Sequence, residues 1–307
     1  MRIITAGSGY VDIDAYGGCI AYAELLNLQG EQAQAASNAA LNASIPPSVR
    51  AWQAPFTLGY KPAAEDTFTI IDTSDPEFLD KMTALDRVDE VIDHHPGFEA
   101  YWQKRLGDKA DIEMAGAACT MIFERWEQAG LVPKMSQTSA RLLICGTLDN
   151  TLNFKAKITT NRDHHAYEQL QCIADLAHDW PAQYFSECQQ AITKDLSAAL
   201  RDDRKIMAFK QFVKPLGVGQ LVIWDASSIL ANNLEQIRTT MDEMAQPWFV
   251  NIVSIAEGKS YLVCHDVSLR PWLENLLQVH FTQNVAPANR LWLRKEILKA
   301  SLSKTES

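Results

Sequence analysis

The sequence predicts an α/β protein with a parallel-sheet domain over residues 1–190 and a smaller α/β domain over 191–307. Three observations carry this. The 307 residues are roughly twice the length of an ordinary domain. Short β-branched runs alternate with amphipathic stretches through the first half, the signature of crossover units and a parallel sheet. After a helix-rich connection, the strand rhythm restarts beyond Lys205.

In chain order, Arg2 to Ala6 (RIITA) reads as a strand and GSGYVD as the loop that follows. AYGGCIAYAELLNLQG reads as a helix ended by Gly30. A second strand is expected near Gln34 to Ala40. DTFTIID ends a third at Asp72, and VDEVID runs a fourth into His94. Helices are expected near Pro76 to Thr83, Phe98 to Leu106 and Ala115 to Gln128. From Met135 to Leu200 the pattern is mostly helical, through MSQTSARLLICGTLDN, TNRDHHAYEQLQCIADLAH and PAQYFSECQQAITKDLSAALRDDRK. VGQLVIW, PWFVNIVSIA and SYLVCHD then read as strands, with helices near Asn232 to Met244 and Pro271 to Gln278. No internal repeat, low-complexity tract or heptad pattern is present.

Composition excludes several classes. No run approaches the ~18 uninterrupted apolar residues that a membrane span needs, so no transmembrane segment is expected. The N-terminus meets acidic residues within a dozen positions and has no apolar core of a secretory signal. Six scattered cysteines without a C-x-x-C pair argue against a zinc site or disulfide framework, and point to reduced, buried thiols in a cytoplasmic protein. A formal net charge of −10 opposes binding to polymeric nucleic acid, which wants a basic face. It does not oppose a small anionic phosphate substrate, because a few focused cations or a bound metal reverse the field locally.

Three acidic or imidazole groups share one position, the C-terminal tip of an expected parallel strand. Asp12 and Asp14 follow the first strand, Asp72 ends the third, and Asp93, His94 and His95 end the fourth. Open α/β sheets bind ligands at that rim. Carboxylates a few ångströms apart repel strongly, and a divalent ion, or better two, resolves the repulsion. Oxygen ligands with one or two imidazoles suit Mn²⁺ or Mg²⁺. In an extended loop, the D-x-D spacing of Asp12 and Asp14 would point both carboxylates to one side, and Asp72 could bridge two ions.

The segments VDIDAYG, IIDTSD and VIDHHPG, in this order, resemble the DHH phosphoesterase superfamily. GTLDNTLNFKAKITTNRD, KPLGVGQLVIWD and WLRKEIL extend the resemblance to the branch of family II (manganese-dependent) inorganic pyrophosphatases and exopolyphosphatase- and prune-like proteins. It implies helices on both faces of the first sheet, a mixed sheet in the second domain, and a cytoplasmic hydrolase that uses two divalent ions, Mn or Mg. Asp12 would bind the first ion, Asp14 the second, Asp72 both, and His94 would complete the second site. His95 would donate to a substrate phosphate oxygen, and Asp93 would orient an imidazole. Lys205, Arg294 and Lys295 would supply cations for the phosphates, with Arg204 or Lys210 as alternatives to Lys205. The resemblance further implies closure of the domains through a helical hinge at 185–200, and allows a homodimer.

Two departures from the branch pattern stand out. Ser8 occupies the place of a histidine ligand, which tilts the expected preference toward Mg²⁺ and toward short polyphosphate or a nucleotide polyphosphate. Asn150 falls where a metal-binding aspartate is usual, so either adjacent Asp149 binds or the site has one carboxylate fewer. A second Asp-His-His, at Asp163, His164 and His165, reads as a helix start with exposed histidines. The leading expectation is hydrolysis of phosphoanhydride bonds in pyrophosphate or short polyphosphate. The alternatives are a DHH phosphodiesterase acting on short oligonucleotides or cyclic dinucleotides, and a non-catalytic metal-binding regulator with a degenerate site.

Overall fold

Along the expected strands, alternate side chains part to opposite faces. Phe68 and Ile70 pack with Ile3, Val91 and Trp102 on one side, whereas Ile71 faces the first helix on the other. In this computed structural model, which describes residues 1–209 and 211–303, the chain divides into two compact units, Met1–Tyr184 and Phe185–Ser307.

The first unit runs β1 (Arg2–Thr5), α1 (Ile13–Leu28), β2 (Ala33–Ser37), α2 (Pro47–Arg50), β3 (Thr57–Leu58), β4 (Thr67–Ile71), β5 (Val88–Asp93), α3 (Glu99–Leu106), β6 (Ala110–Ile112), α4 (Ala118–Gln128), α5 (Gln137–Asn150) and α6 (Asn161–Ala174). Helix α7 (Trp180–Lys194) runs across the division between the units. The six strands are all parallel, in the order β3-β2-β1-β4-β5-β6. Because β1 leads to β2 on one side while β4 lies on its other side, the strand order reverses between β1 and β4. The C-terminal ends of these two strands are the usual ligand position in such sheets. Helix α3 brings Trp102 to one face; α1, α4 and α5 pack together on the other.

The second unit carries α8 (Leu196–Asp203), β7 (Lys205–Met207), β8 (Leu216–Ile223), α9 (Ser227–Asn232), α10 (Leu234–Met244), β9 (Trp248–Ser254), β10 (Lys259–Val263), α11 (Arg270–Leu277), β11 (Val285–Pro287) and α12 (Arg294–Ser303). Its sheet is mixed, in the order β11-β10-β9-β8-β7, with only β8 and β9 parallel. Leu216, Val218 and Phe249 face a core with α11 and α12, while Leu221, Ile223, Val250 and Ile252 face one with α8 and α10.

One expected element is absent. Residues 76–83 form turns rather than a helix. The backbone of Asp80 donates to the Ala6 carbonyl, Gly7 bridges Leu79, and the buried Asp80 carboxylate accepts from the Asn38 and Met82 amides. These long-range bonds outbid local helix formation. Helix α1 starts two residues before the expected Ala15, and α4 starts at Ala118 rather than Ala115. The strands with no sequence forecast, β3, β6, β7 and β11, span two or three residues each. All six cysteines are free, five of them buried and Cys172 exposed. Among the described residues no helix is long and apolar enough to cross a membrane.

Candidate metal centre

Four loops at the C-terminal rim of the first sheet build the site. After β1 a loop over residues 6–12 leads into α1 and ends on Asp12, the helix cap: its Oδ1 accepts the Ala15 amide at 3.0 Å. The extended D-x-D loop expected from the sequence is therefore replaced by a cap followed by a helical residue. Asp14 lies in the first turn of α1 and is fully buried. Its Oδ1 accepts the Cys119 amide at 2.7 Å and its Oδ2 the Ala118 amide at 2.8 Å. These are the free N–H groups at the start of α4, where a carboxylate is favoured by the helix dipole. The Asn150 side-chain amide donates to the same Oδ2.

Asp72 follows β4 with φ at 64°, a left-handed conformation that costs a non-glycine residue of order 1–3 kcal/mol and is found where function holds it. This turn aims its carboxylate at His94. The His94 ring, buried after β5, places Nδ1 at 3.1 Å from the Ala115 carbonyl. A carbonyl only accepts, so Nδ1 carries the proton and Nε2 presents a lone pair. Nε2 lies 3.1 Å from Asp72 Oδ1 and 3.7 Å from Asp14 Oδ2. Neither Nε2 nor Asp72 Oδ1 has a hydrogen-bond partner, although both are buried. Two acceptors held face to face at that distance need a proton or a metal cation between them. Two neighbouring ligands of an octahedral ion at about 2.1 Å lie about 3.0 Å apart, so the observed spacing fits a shared divalent ion.

The neighbouring groups act in the same sense. Asp93, wholly buried, accepts from the His95 amide at 3.1 Å and from His95 Nδ1 at 2.9 Å. That hydrogen bond holds the pKa of the half-exposed His95 ring above its usual value. Asp72, His94 and His95 together can offer three ligand atoms within 4.8 Å of one another. Burial, then the proximity of Asp14, raises the Asp12 carboxyl; burial, then Asp12 and Asp14, raises Asp72 well above the carboxylate range. At the end of α5, burial pushes Asp149 up to about 7 against a 2.9 Å hydrogen bond from the Tyr184 hydroxyl, with Asp12 and Asp14 adding repulsion. A cluster that resists its own ionisation is one that a divalent ion would neutralise.

The structure thus gathers Asp12, Asp14, Asp72 and His94, with Asp149 in electrostatic reach and His95 at the edge. Of the α5 pair, Asn150 touches Asp14 and Asp149 faces Tyr184. Asp163 of the second Asp-His-His is buried as the third residue of α6, and His164 and His165 are exposed.

The expected substrate cations lie in the second unit. Lys205 is the exposed first residue of β7, not a residue ahead of the first strand as the sequence suggests. Lys210, its alternative, lies outside the described residues. Arg204 donates to the Met244 carbonyl. Arg294 forms a two-pronged pair with Asp203, Nη1 to Oδ2 at 2.8 Å and Nη2 to Oδ1 at 3.1 Å, whereas Lys295 beside it is exposed. Sequence reasoning missed the main-chain groups that grip the ligands, the Ala115 carbonyl and the Ala118 and Cys119 amides, together with Tyr184. The expected helix start near residue 115 was their one signal, since a helix N-terminus attracts a carboxylate.

Residues 2–147 match the model of the DHH family, N-terminal domain. The chain is 25% identical over 246 residues to a Deinococcus radiodurans protein named a probable manganese-dependent inorganic pyrophosphatase, covering 76% of this chain and 74% of that one. A Listeria innocua protein of the same name is 22% identical over 319 aligned positions, 99% of this chain and 98% of that one. Among solved structures, a Methanococcus jannaschii protein assigned by name to the family II inorganic pyrophosphatases superposes with a TM-score of 0.65 at 18% identity, covering 99% of both chains. An exopolyphosphatase-related protein from Bacteroides fragilis superposes with a TM-score of 0.52 at 13% identity over 99% of this chain and 92% of that one. The fold matches that of the family II pyrophosphatases, and residues 2–147 are similar to the DHH family, N-terminal domain.

Proposed function

We propose that this chain is a metal-dependent phosphohydrolase that cleaves phosphoanhydride bonds, with pyrophosphate or short-chain polyphosphate as substrate and two divalent ions, Mn²⁺ or Mg²⁺, at the rim of the first sheet. The reading rests on one observation above the others: His94 Nε2 and Asp72 Oδ1, both buried and unpartnered, face each other at 3.1 Å across the C-terminal tips of β4 and β5, beside the reversal of strand order. Names given to relatives supply the substrate class, and the departures at Ser8 and Asn150 leave room for chains longer than pyrophosphate.

Asp12, Asp14, Asp72, His94 and Asp149 would hold the ions. When bound, such ions acidify a water nucleophile and offset charge on the phosphate oxygens. Asp72 would span the two positions, while Asp14 is fixed in place by the α4 amides. His95, its ring held by Asp93 and its pKa raised, would donate a proton or hydrogen bond from Nε2 to a phosphate oxygen. Lys205, Arg294 and Lys295 are proposed as the cations for the remaining phosphate charge; Lys295 would act as a point charge, and Arg294 would have to share its guanidinium with Asp203.

The test is phosphate release from pyrophosphate, tripolyphosphate and a dinucleotide, each with Mn²⁺ and with Mg²⁺, for wild type and Asp72→Asn. Turnover of the inorganic substrates that falls by at least about 100-fold in Asp72→Asn supports the reading. Turnover of the dinucleotide alone would make the chain a phosphodiesterase. Tight metal binding with no turnover would make it a binding protein.

A further inference from the structure

The second Asp-His-His motif has a use beyond starting a helix. Asp163 is wholly buried, and both its oxygens are engaged. Oδ2 accepts the Thr160 amide at 2.7 Å and the Thr160 hydroxyl at 2.8 Å, which completes the capping box of α6. Oδ1 turns the other way and accepts the Thr120 hydroxyl of α4 at 2.7 Å. The Thr120 oxygen in turn lies 3.4 Å from the Thr147 hydroxyl on α5, one turn before Asn150.

The stretch that Asp163 grips is the one that holds two expected metal ligands. Within residues 115–120, the Ala115 carbonyl fixes His94, the Ala118 and Cys119 amides fix Asp14, and Thr120 bonds Asp163. Gly116 packs directly under the Asp163 carboxylate: a Cβ there would sit 2.3–2.5 Å from its three terminal atoms. Helix α4 has no capping side chain of its own, since Ala117 stands at its cap. Nothing local to the helix therefore fixes where its first turn lies.

We infer that Asp163 is a positioning residue of the metal centre: through Thr120 and its contact with Gly116 it sets the first turn of α4, and thereby the orientation of His94 and Asp14. This rests on the metal-site reading above. Groups bonded directly to a metal ligand carry about 10–100-fold in metal affinity when removed, and Asp163 acts one step behind such groups, so the low end of that range is expected.

The experiment compares wild type, Asp163→Asn, Thr120→Val and Thr160→Ala by Mn²⁺ titration calorimetry, thermal unfolding, and nitrogen-15 NMR of the histidine rings in the metal-free protein. Thr120→Val cuts the link to α4 and keeps the α6 cap; Thr160→Ala does the reverse. The expected result is Mn²⁺ affinity weakened about tenfold in Asp163→Asn and Thr120→Val, with the His94 ring signals displaced. Thr160→Ala should lower the unfolding temperature and leave affinity and ring signals as in wild type. Thr120→Val with wild-type affinity and unmoved His94 signals would overturn the inference, even where Asp163→Asn fails to fold. A wild-type protein that binds no Mn²⁺ would refute the metal-site reading instead, and the metal-free ring signals would still decide the role of Asp163.

Discussion

Replacing Asp149 by asparagine should stabilise the metal-free protein near neutral pH and weaken its response to metal. The Asp149 carboxyl is raised to about 7, against an ordinary 3.8, chiefly by burial. In the unfolded chain it ionises near pH 4, while in the fold it keeps its proton until about pH 7. The folded state thus binds more protons over that interval, and its stability falls as pH rises from 4 to 7, then levels. Three pKa units at about 1.36 kcal/mol each give an upper bound of about 4 kcal/mol at pH 8. Asparagine keeps an oxygen for the Tyr184 hydroxyl and has no charge to bury. Calorimetric unfolding in EDTA at pH 4.5 and 8 provides the measurement, with up to roughly 8–16 °C expected in the transition of the first unit at pH 8 and only about 2–4 °C at pH 4.5. The difference between variant and wild type cancels the contributions of Asp12 and Asp72, which have the same sign. Saturating Mn²⁺ should reverse the ranking. An equal shift at both pH values, or a variant less stable than wild type at pH 8 without metal, would refute the electrostatic account.

Further outcomes follow from the same contacts. Gly17→Ala would gain about 1 kcal/mol of helix propensity on a free surface, but a Cβ at Gly17 would lie 2.9 Å from the Leu142 carbonyl oxygen. Overpacking of about 1–3 kcal/mol should win, lowering the unfolding temperature of the first unit. Lys295→Ala should raise KM for an inorganic phosphoanhydride about tenfold with an unchanged unfolding temperature, because the side chain is exposed. Arg294→Ala should in addition cost about 1 kcal/mol of stability in the second unit, since it breaks the pair with Asp203, whose half-exposed carboxylate then turns to water; denaturant unfolding of both variants separates the two effects.

The strand tips were legible because hydrophobic runs that end in Asp72 and in Asp93-His94-His95 announce both the sheet and its rim. Strand order was left open by the sequence, although alternating elements allow few right-handed arrangements. The segment 76–83 was not legible, because its conformation answers to Ala6, Gly7 and Asn38, which are distant in sequence. For Asp12 and Asp14 the periodicity argument chose a loop where a cap lay, because an aspartate cap is as good a beginning for a helix as an end for a loop. The grip on His94 and Asp14 comes from main-chain atoms, and a main-chain atom leaves no trace in residue identity. Arg294 illustrates the remaining limit: its motif is visible, whereas its pairing with Asp203, 91 residues earlier, is not.

Asp14 and Asp72 are expected to hold metal side by side, yet their surroundings give opposite stability signatures on neutralisation. Asp72 Oδ1 is an unpartnered buried acceptor beside other carboxylates, so Asp72→Asn removes repulsion and should stabilise the metal-free fold. Asp14 receives three N–H groups, from Ala118, Cys119 and Asn150, at the N-terminus of α4. An asparagine there must turn its own NH₂ toward at least one of these donors. It leaves one N–H unpaired at about 1–3 kcal/mol and forfeits up to ~2 kcal/mol of attraction to the helix terminus. Asp14→Asn should therefore destabilise the metal-free protein by about 2–4 kcal/mol, measured by denaturant unfolding in EDTA. Were both variants to shift stability in the same direction, the site would be a cluster of equivalent carboxylates. Opposite shifts would mark Asp14 as the charge the fold itself requires, and Asp72 as the charge it tolerates only for a cation.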